Sequence, residues 1–391
     1  MKREPAFIYS DAYTDYQFNA DHPFNQQRVV MTKELLEAEG KLFDHHIVHP
    51  RVASVEELAL VHDRQYIEAV KRAGNGQLSE EDAWQYGLGT EDTPMFSGMH
   101  EAASLLVGGT LTAIDSVLNN KAPQALNLGG GLHHGFKRKA SGFCVYNDAA
   151  VAIKYIRDRY RLRVLYVDTD AHHGDGVQSF FYHDPEVCTL SIHETGRYLF
   201  PGTGSISERG VKEGYGYTFN LPIDAFTEDD SFLSVYESAF KEITEYFQPD
   251  IIITQNGADS HCYDPLTHLC TTTKTFESIP MVARKIAEQY CEGRWVGLGG
   301  GGYDIWRVVP RAWSQIWSVM LTGNILTGPL PVEWKRKWEV NSPVSLPESW
   351  QDGGGLYKPI PRKPEITEKN QLTLNQCLQY CRNKRQFSSL E

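Results

Sequence analysis

Four short stretches of this 391-residue chain carry residues whose types and spacing can do chemistry. The first runs from Val164 to Gly176 and contains Asp168, Asp170, His172, His173 and Asp175. An apolar run leads into Asp168, Asp170 and His172 at alternate positions, and side chains two apart share one face of a strand. Three potential ligands then point the same way. A buried carboxylate needs a cation or several donors, so a divalent metal is the simplest compensation; the competing reading is a hydrated turn, which a fully buried strand disfavours. The second stretch, residues 126–135, ends in Gly129-Gly130-Gly131 and then presents His133-His134. Adjacent histidines cannot share a direction in a regular strand, so a turn must aim them. A lone histidine would be a structural hydrogen-bonding group, but a pair after a glycine turn suits proton transfer, because imidazole titrates near neutrality. In the third, residues 249–259, another apolar run delivers Asp259. That residue could cap a helix or close a turn. Beside Asp170 and His172 it would instead complete a set of two carboxylates and one imidazole with a position open for water, an arrangement found at catalytic zinc. The fourth, residues 295–304, places four glycines before Tyr303. It lacks the Lys-Ser/Thr of a phosphate loop and the spacing of a dinucleotide fingerprint. The glycines serve either to project Tyr303 or to pack it into the core.

The elements that must position these groups follow from periodicity. Apolar runs predict strands over 6–9, 46–49, 125–128, 164–167, 187–192, 217–221, 251–254 and 295–298. Most lack polar alternation, as strands buried on both faces do. Three- and four-residue apolar spacing predicts helices over 26–39, 97–118, 148–159, 228–247, 276–292 and 309–321. Alternation of strand and helix indicates an α/β class with a mainly parallel sheet. In such sheets chemistry collects beyond the carboxyl ends of the strands, which is where all four stretches lie. One catalytic domain is expected over residues 1–325. Residues 326–391 form a C-terminal extension with Pro329, Pro331, Pro343, Pro347, Pro359, Pro361 and Pro364 and with Trp334, Trp338 and Trp350, expected to pack on the domain and to close with a helix near 373–384.

Composition bounds the partners. Lys plus Arg total 38 and Asp plus Glu total 50, a formal charge of −12, with 41% hydrophobic and 23% charged residues. That is the balance of a folded protein, and the acidic excess argues against broad nucleic-acid binding, which needs a cationic face. The seven cysteines are scattered without a CxxC pair, which predicts free thiols in a reducing compartment and a cytoplasmic protein. Cys377 and Cys381 stand at helical spacing and could share a bridge or metal, but no further ligand clusters near them. No apolar stretch follows the charged N-terminus and no run approaches the roughly 18 apolar residues of a membrane span, so neither a signal peptide nor a membrane partner is expected.

From about Tyr9 to Leu321 the chain resembles the zinc-dependent histone deacetylase superfamily, and within it the bacterial acetoin-utilisation (AcuC-type) deacetylases. The resemblance is carried by Asp21-His22-Pro23 with Arg28, Tyr86-Gly87-Leu88-Gly89, Gly129 to His134, Ser141-Gly142-Phe143-Cys144, Asp168 to Gly176, Phe200-Pro201-Gly202-Thr203-Gly204, Gly257-Ala258-Asp259 and Gly299 to Tyr303, in family order. It implies an arginase/deacetylase-like three-layer α/β/α fold with an eight-stranded sheet, and hydrolysis of N-ε-acetyl-lysine to lysine and acetate. Asp170, His172 and Asp259 correspond to the metal ligands, for zinc or ferrous iron. Asp168 and Asp175 match the carboxylates paired with His133 and His134, and Tyr303 matches the tyrosine that polarises the acetyl carbonyl. Gly142, Phe143 and Phe200 match the walls of the substrate channel, with Leu266 near its rim. Asp168, Asp170, His172 and Ser191 surround the family's structural potassium site, and Arg28 lines the cavity below the metal. Where relatives commonly carry Gly-Leu-Gly-Tyr-Asp, this chain reads Gly87-Leu88-Gly89-Thr90-Glu91-Asp92, one residue longer. Asp92 is the first choice for gripping substrate backbone there, with Glu91 the competitor.

A metal held by two carboxylates keeps little residual charge and should acidify its water less than a three-imidazole site, which accounts for a separate base, assigned to His134. The resemblance implies an acetylated protein substrate, acetyl-coenzyme A synthetase, and a monomer or weak oligomer. Three competing readings are an acetylpolyamine amidohydrolase of the same fold, an arginase-type binuclear manganese enzyme, and a non-catalytic binding module. The second would need further bridging carboxylates. The third would have lost a ligand, a tandem histidine or the tyrosine.

Overall fold

The computed structural model describes residues 3–357 and 360–388, with side chains through Asn383; Pro359 lies outside them. Eight apolar runs form eight strands: β1 (Ala6–Ile8), β2 (Ile47–Val48), β3 (Gln124–Asn127), β4 (Val164–Asp168), β5 (Val187–Glu194), β6 (Thr218–Ile223), β7 (Ile251–Gln255) and β8 (Trp295–Leu298). Every pairing is parallel, in the order β2-β1-β3-β8-β7-β4-β5-β6. Strands β3, β4, β5, β7 and β8 are buried along their whole length, which explains their unbroken apolar character. Helices cover both faces, making the three layers.

This strand order decides where the chemistry gathers. The four chemistry-bearing strands, β3, β8, β7 and β4, lie side by side at the centre of the sheet. Their ends are level, because Asn127 pairs with Leu298, Leu298 with Gln255, and Gln255 with Asp168. Loops leaving four adjacent strands at one height must meet.

The six predicted helices are present as Gln27–Ala38, Met99–Leu118, Asp148–Tyr160, Asp229–Phe247, Thr273–Tyr290 and Val309–Thr322. Shorter ones at Val55–Leu58, Arg64–Gly74, Glu80–Gln85, Asp175–Phe181 and Val332–Trp338 add to these; most are too brief for an apolar period to repeat. The Met99–Leu118 helix corrects one expectation. By length and composition it could cross a membrane, since Gly, Ala, Ser and Thr between its larger apolar residues do not interrupt it. It is instead a core helix, mostly buried and packed on β1, β3 and the Asp148–Tyr160 helix.

The C-terminal residues wrap the domain. Trp334 donates its indole N–H to the Met31 carbonyl at 2.9 Å and Trp338 donates to Glu34 at 3.1 Å, while Trp350 is fully buried. The terminal helix spans Lys363–Ser388, ten residues earlier at its start than the 373–384 expected from pattern. Pro364 stands in its first turn, where a missing N–H costs no intrahelical bond. The buried face runs through Ile366, Asn370, Leu374, Cys377, Leu378 and Cys381. Cys377 and Cys381 belong to that face, neither bridged nor clustered with further metal-ligating side chains among the described residues.

Candidate active site

Strand β4 stops at Asp168, and the chain then folds into a turn held by its own side chains. The Asp170 N–H donates to Asp168 Oδ1 at 3.1 Å and the His172 N–H donates to Asp170 Oδ1 at 2.9 Å, the two-residue pattern of Asx turns. The alternation expected of a strand therefore ends at Asp168, and the three side chains part company. Asp168 faces His133, its Oδ2 lying 2.8 Å from His133 Nδ1 and accepting the Tyr166 hydroxyl at 2.9 Å. Asp170 and His172 turn toward Asp259. His172 Nδ1 lies 3.1 Å from Asp170 Oδ1 and 3.0 Å from Asp259 Oδ2.

These three buried residues form one cluster, their ligand atoms within 4.8 Å of one another. Tetrahedral zinc with bonds of about 2.0–2.2 Å separates its donors by about 3.3–3.6 Å, so small side-chain adjustments gather all three. The outer oxygens are already held, as metal-binding carboxylates require. Asp170 Oδ2 accepts from Gln255 Nε2 at 2.8 Å and from the Gly301 N–H at 2.6 Å, and Asp259 Oδ1 accepts from the Ala171 N–H at 2.8 Å. Gly301 is obligatory here, since a Cβ would fall on the Asp259 carboxylate. The donor set and its surroundings fit a divalent cation. A second grouping, Glu4, His45 and His46, does not. His46 Nδ1 accepts the Phe43 N–H at 3.2 Å, so its Nε2 carries the proton and faces Glu4 as a donor.

The tandem histidines follow a glycine turn that Asp148 secures. Its carboxylate accepts from the N–H groups of Gly131 and Leu132 and from the Thr110 hydroxyl, at 2.6–3.1 Å. His134 Nδ1 is 2.7 Å from Asp175 Oδ1, at the start of the Asp175–Phe181 helix. Burial lowers the proton affinity of both imidazoles, but the outcome differs. At His133 the neighbouring Asp168 and Asp170 outweigh burial and lift the pKa to about 9. At His134 burial and the adjacent His133 charge outweigh Asp175 and bring it down to about 4. With no ion at the cluster the two rings are shifted in opposite directions, the pattern that separates acid–base roles.

Tyr303 comes from the glycine run after β8, its N–H donating to Asp264 Oδ2 at 2.8 Å. Burial, with Asp259 and Asp170 nearby, pushes its pKa well up, so the hydroxyl stays a donor. Arg28, buried between Phe24 and Trp313, donates to the Gly302 carbonyl at 2.9 Å. The rings of Phe143 and Phe200 stand over the cluster, 5.8 Å from Tyr303 and 5.0 Å from His134 respectively. Gly142 passes between His134 and Phe200 at φ +49, where a Cβ would strike both rings. Leu266 is half-buried beyond Asp264, which accepts its N–H at 3.0 Å. Glu91 and Asp92 are both exposed; the Asp92 carbonyl is 3.3 Å from the His22 ring, which itself contacts Phe143. Ser191 on β5 is the register partner of Asp168.

Asp170, His172 and Asp259 thus form one cluster with His134 and Tyr303 beside it, while Asp168 leaves the strand alternation and pairs with His133, the pairing that the resemblance implies. Sequence reading misses Gln255, Asp148 and Asp264. Each acts through hydrogen bonds that reach another segment: Asp148 to Gly131 and Leu132, Gln255 to Asp170, and Asp264 to Tyr303. The signal at Asp264 is the turn-forming Asp264-Pro265; at the other two there is none.

Residues 22–320 match the histone deacetylase domain. This chain belongs to the histone deacetylase family. As a member of that family it is a deacetylase, a hydrolase, with the arginase/deacetylase fold. It is 61% identical over 384 residues to the acetoin utilization protein AcuC of Bacillus subtilis (strain 168), spanning 98% of this chain and 99% of that protein. It is 46% identical over 365 residues to the protein of the same name from Staphylococcus aureus (strain MRSA252), 93% of this chain and 94% of the relative. Among solved structures, a histone deacetylase homologue from Aquifex aeolicus superposes with a TM-score of 0.84 at 30% identity, covering 94% of this chain and all of that one. The structure of a deacetylase homologue complexed with SAHA gives the same TM-score and identity.

Proposed function

We propose that this deacetylase hydrolyses N-ε-acetyl-lysine in proteins to lysine and acetate, acting on acetyl-coenzyme A synthetase in acetoin and acetate metabolism. The observation that carries the chemistry is the meeting of His134 and Tyr303 at the Asp170–His172–Asp259 cluster. Both rings lie 6.1–6.4 Å from that of His172. Those three ligands would hold zinc, and the same donors accept ferrous iron. When bound, the ion supplies Lewis-acid polarisation of the carbonyl and acidification of water.

The remaining work belongs to side chains. His134 takes the proton from the attacking water and returns one to the lysine nitrogen as the amide breaks. His133, held cationic by Asp168, steadies negative charge on the reacting centre. The Tyr303 hydroxyl donates to the acetyl oxygen as charge develops there. Phe143 and Phe200 favour a neutral acetylated stem and disfavour the charged lysine product, and acetate leaves past Arg28. Asp92 holds substrate backbone at the mouth, a reading supported by the His22 link between its loop and Phe143. A potassium ion beside Asp168, Asp170, His172 and Ser191 belongs to the same reading. The absence of a disulfide among the seven cysteines supports a cytoplasmic location.

Two measurements test this. Turnover of the metal-reconstituted enzyme should be higher on acetyl-lysine peptides and acetylated acetyl-coenzyme A synthetase than on acetylputrescine; preference for the small amide would overturn the substrate assignment. The pH profile tests the base. Because the environment lowers the His134 pKa, its neutral, active form persists below the ordinary imidazole value of about 6.5. The acid limb of kcat/KM should therefore lie beneath that value, with metal content verified at each pH. Asp175 raises the His134 pKa, so Asp175→Asn should move the limb lower still while reducing the rate. An upward move would show that another group titrates.

A further inference from the structure

The match to the deacetylase domain ends at residue 320, yet two buried groups inside it find their acidic partner outside it. Asp352, in the C-terminal extension, lies with its Oδ2 2.9 Å from His261 Nε2 and its Oδ1 2.8 Å from Arg311 Nη2. His261 is fully buried and Arg311 nearly so, and neither has another acidic partner among the described residues. Asp352 is itself locked in place. Its Oδ2 also accepts the Thr273 N–H at 2.9 Å, and its own N–H donates to the Thr273 hydroxyl at 2.9 Å.

We propose that Asp352 is a positioning residue of the active site, which fixes through His261 and Arg311 the two backbone segments that place Tyr303. The first arm runs through the loop after Asp259. His261 Nδ1 accepts the Tyr263 N–H at 3.1 Å, so its Nε2 carries the proton and donates to Asp352. With the ring pinned at both nitrogens and stacked on Phe276, the His261 carbonyl accepts the Asp264 N–H at 2.8 Å. Asp264 then accepts the Tyr303 N–H. The second arm runs through the helix that follows Tyr303. Arg311 Nε donates to the Arg307 carbonyl at 2.6 Å, and Arg307 in turn grips Asp304, the residue beside Tyr303, and lies over the Tyr263 ring at 4.0 Å. The two arms close on one residue. Burial works against the Asp352 carboxylate, but His261 and Arg311 hold its pKa well below the usual range, so Asp352 stays ionised across the working pH.

The inference rests on the reading of Tyr303 as the donor to the acetyl oxygen, and the experiment separates the two. His261→Leu removes one arm and leaves the Asp352–Arg311 pair intact; His261→Gln keeps an N–H within reach of Asp352. Each is made alone and with Tyr303→Phe, and kcat, KM and metal content are measured on an acetyl-lysine peptide with metal-loaded, full-length protein. His261→Leu should lower kcat about tenfold, since small misplacements of a reacting group are expensive, with KM and metal content unchanged. His261→Gln should recover most of the rate. In the Tyr303→Phe background the same His261→Leu change should alter kcat less than about twofold, because the group it positions is absent. Equal losses in both backgrounds, or a normal kcat in His261→Leu, would overturn the proposal. Full turnover in Tyr303→Phe alone would overturn the reading beneath it instead.

Discussion

Asp259→Ala should leave the purified enzyme with less than one metal per chain and without measurable deacetylation. Asp259 is fully buried and contributes one of three donors at the cluster. Losing an outer hydrogen-bonding partner already weakens metal affinity about 10–100-fold, so losing a direct donor should exceed that. The variant should still fold. Burial and the adjacent Asp170 push the Asp259 pKa up without an ion, so the carboxylate is a burden to the metal-free chain. Chelator-treated wild type and variant should then melt at similar temperatures, and added zinc should raise the Tm of the wild type alone, because only a ligand bound to the folded state stabilises it. Elemental analysis with thermal melts checks this. A full complement of metal in Asp259→Ala would remove Asp259 from the ligand set.

Tyr303→Phe should lose about 10²–10³ in kcat, roughly 2.7–4 kcal/mol of barrier, the usual result of removing one donor to a developing oxyanion. The ring is retained, and with it the edge contact to Phe143 at 5.8 Å, so KM and metal content should be near normal. The size of the loss follows from the setting. The side chain is half-buried and its hydroxyl is kept protonated by its surroundings, so its hydrogen bond forms in a low-dielectric site without prior reorganisation. Turnover within a few fold of wild type would require the carbonyl to be polarised by another group.

Both predictions concern residues whose significance is legible one segment at a time, and the reason is local. Asp170, His172, Asp259, His133, His134 and Tyr303 are polar groups placed where a buried apolar run ends. The cost of burying them uncompensated is readable without knowing their neighbours. The strands are legible for the same reason: β4, β7 and β8 are apolar throughout because both faces are covered. Local pattern is less informative about turns. Asp168 keeps the alternating position of a ligand, and only the Asx-type hydrogen bonds after it send it to His133. The terminal helix is likewise masked by the Pro-rich approach to Pro364, although its buried face from Ile366 to Cys381 is regular.

By itself, then, the sequence determined the kinds of group available, the fold class and the chemistry those groups suit. Which groups act together was decided by tertiary structure. Ala171 donates to Asp259 across 88 residues, Gly301 to Asp170 across 131, and Asp352 reaches His261 across 91. None of these pairings leaves a periodicity in the chain. They exist because β3, β8, β7 and β4 are adjacent and in register, an order set by packing between distant segments and not by the residues that flank each site.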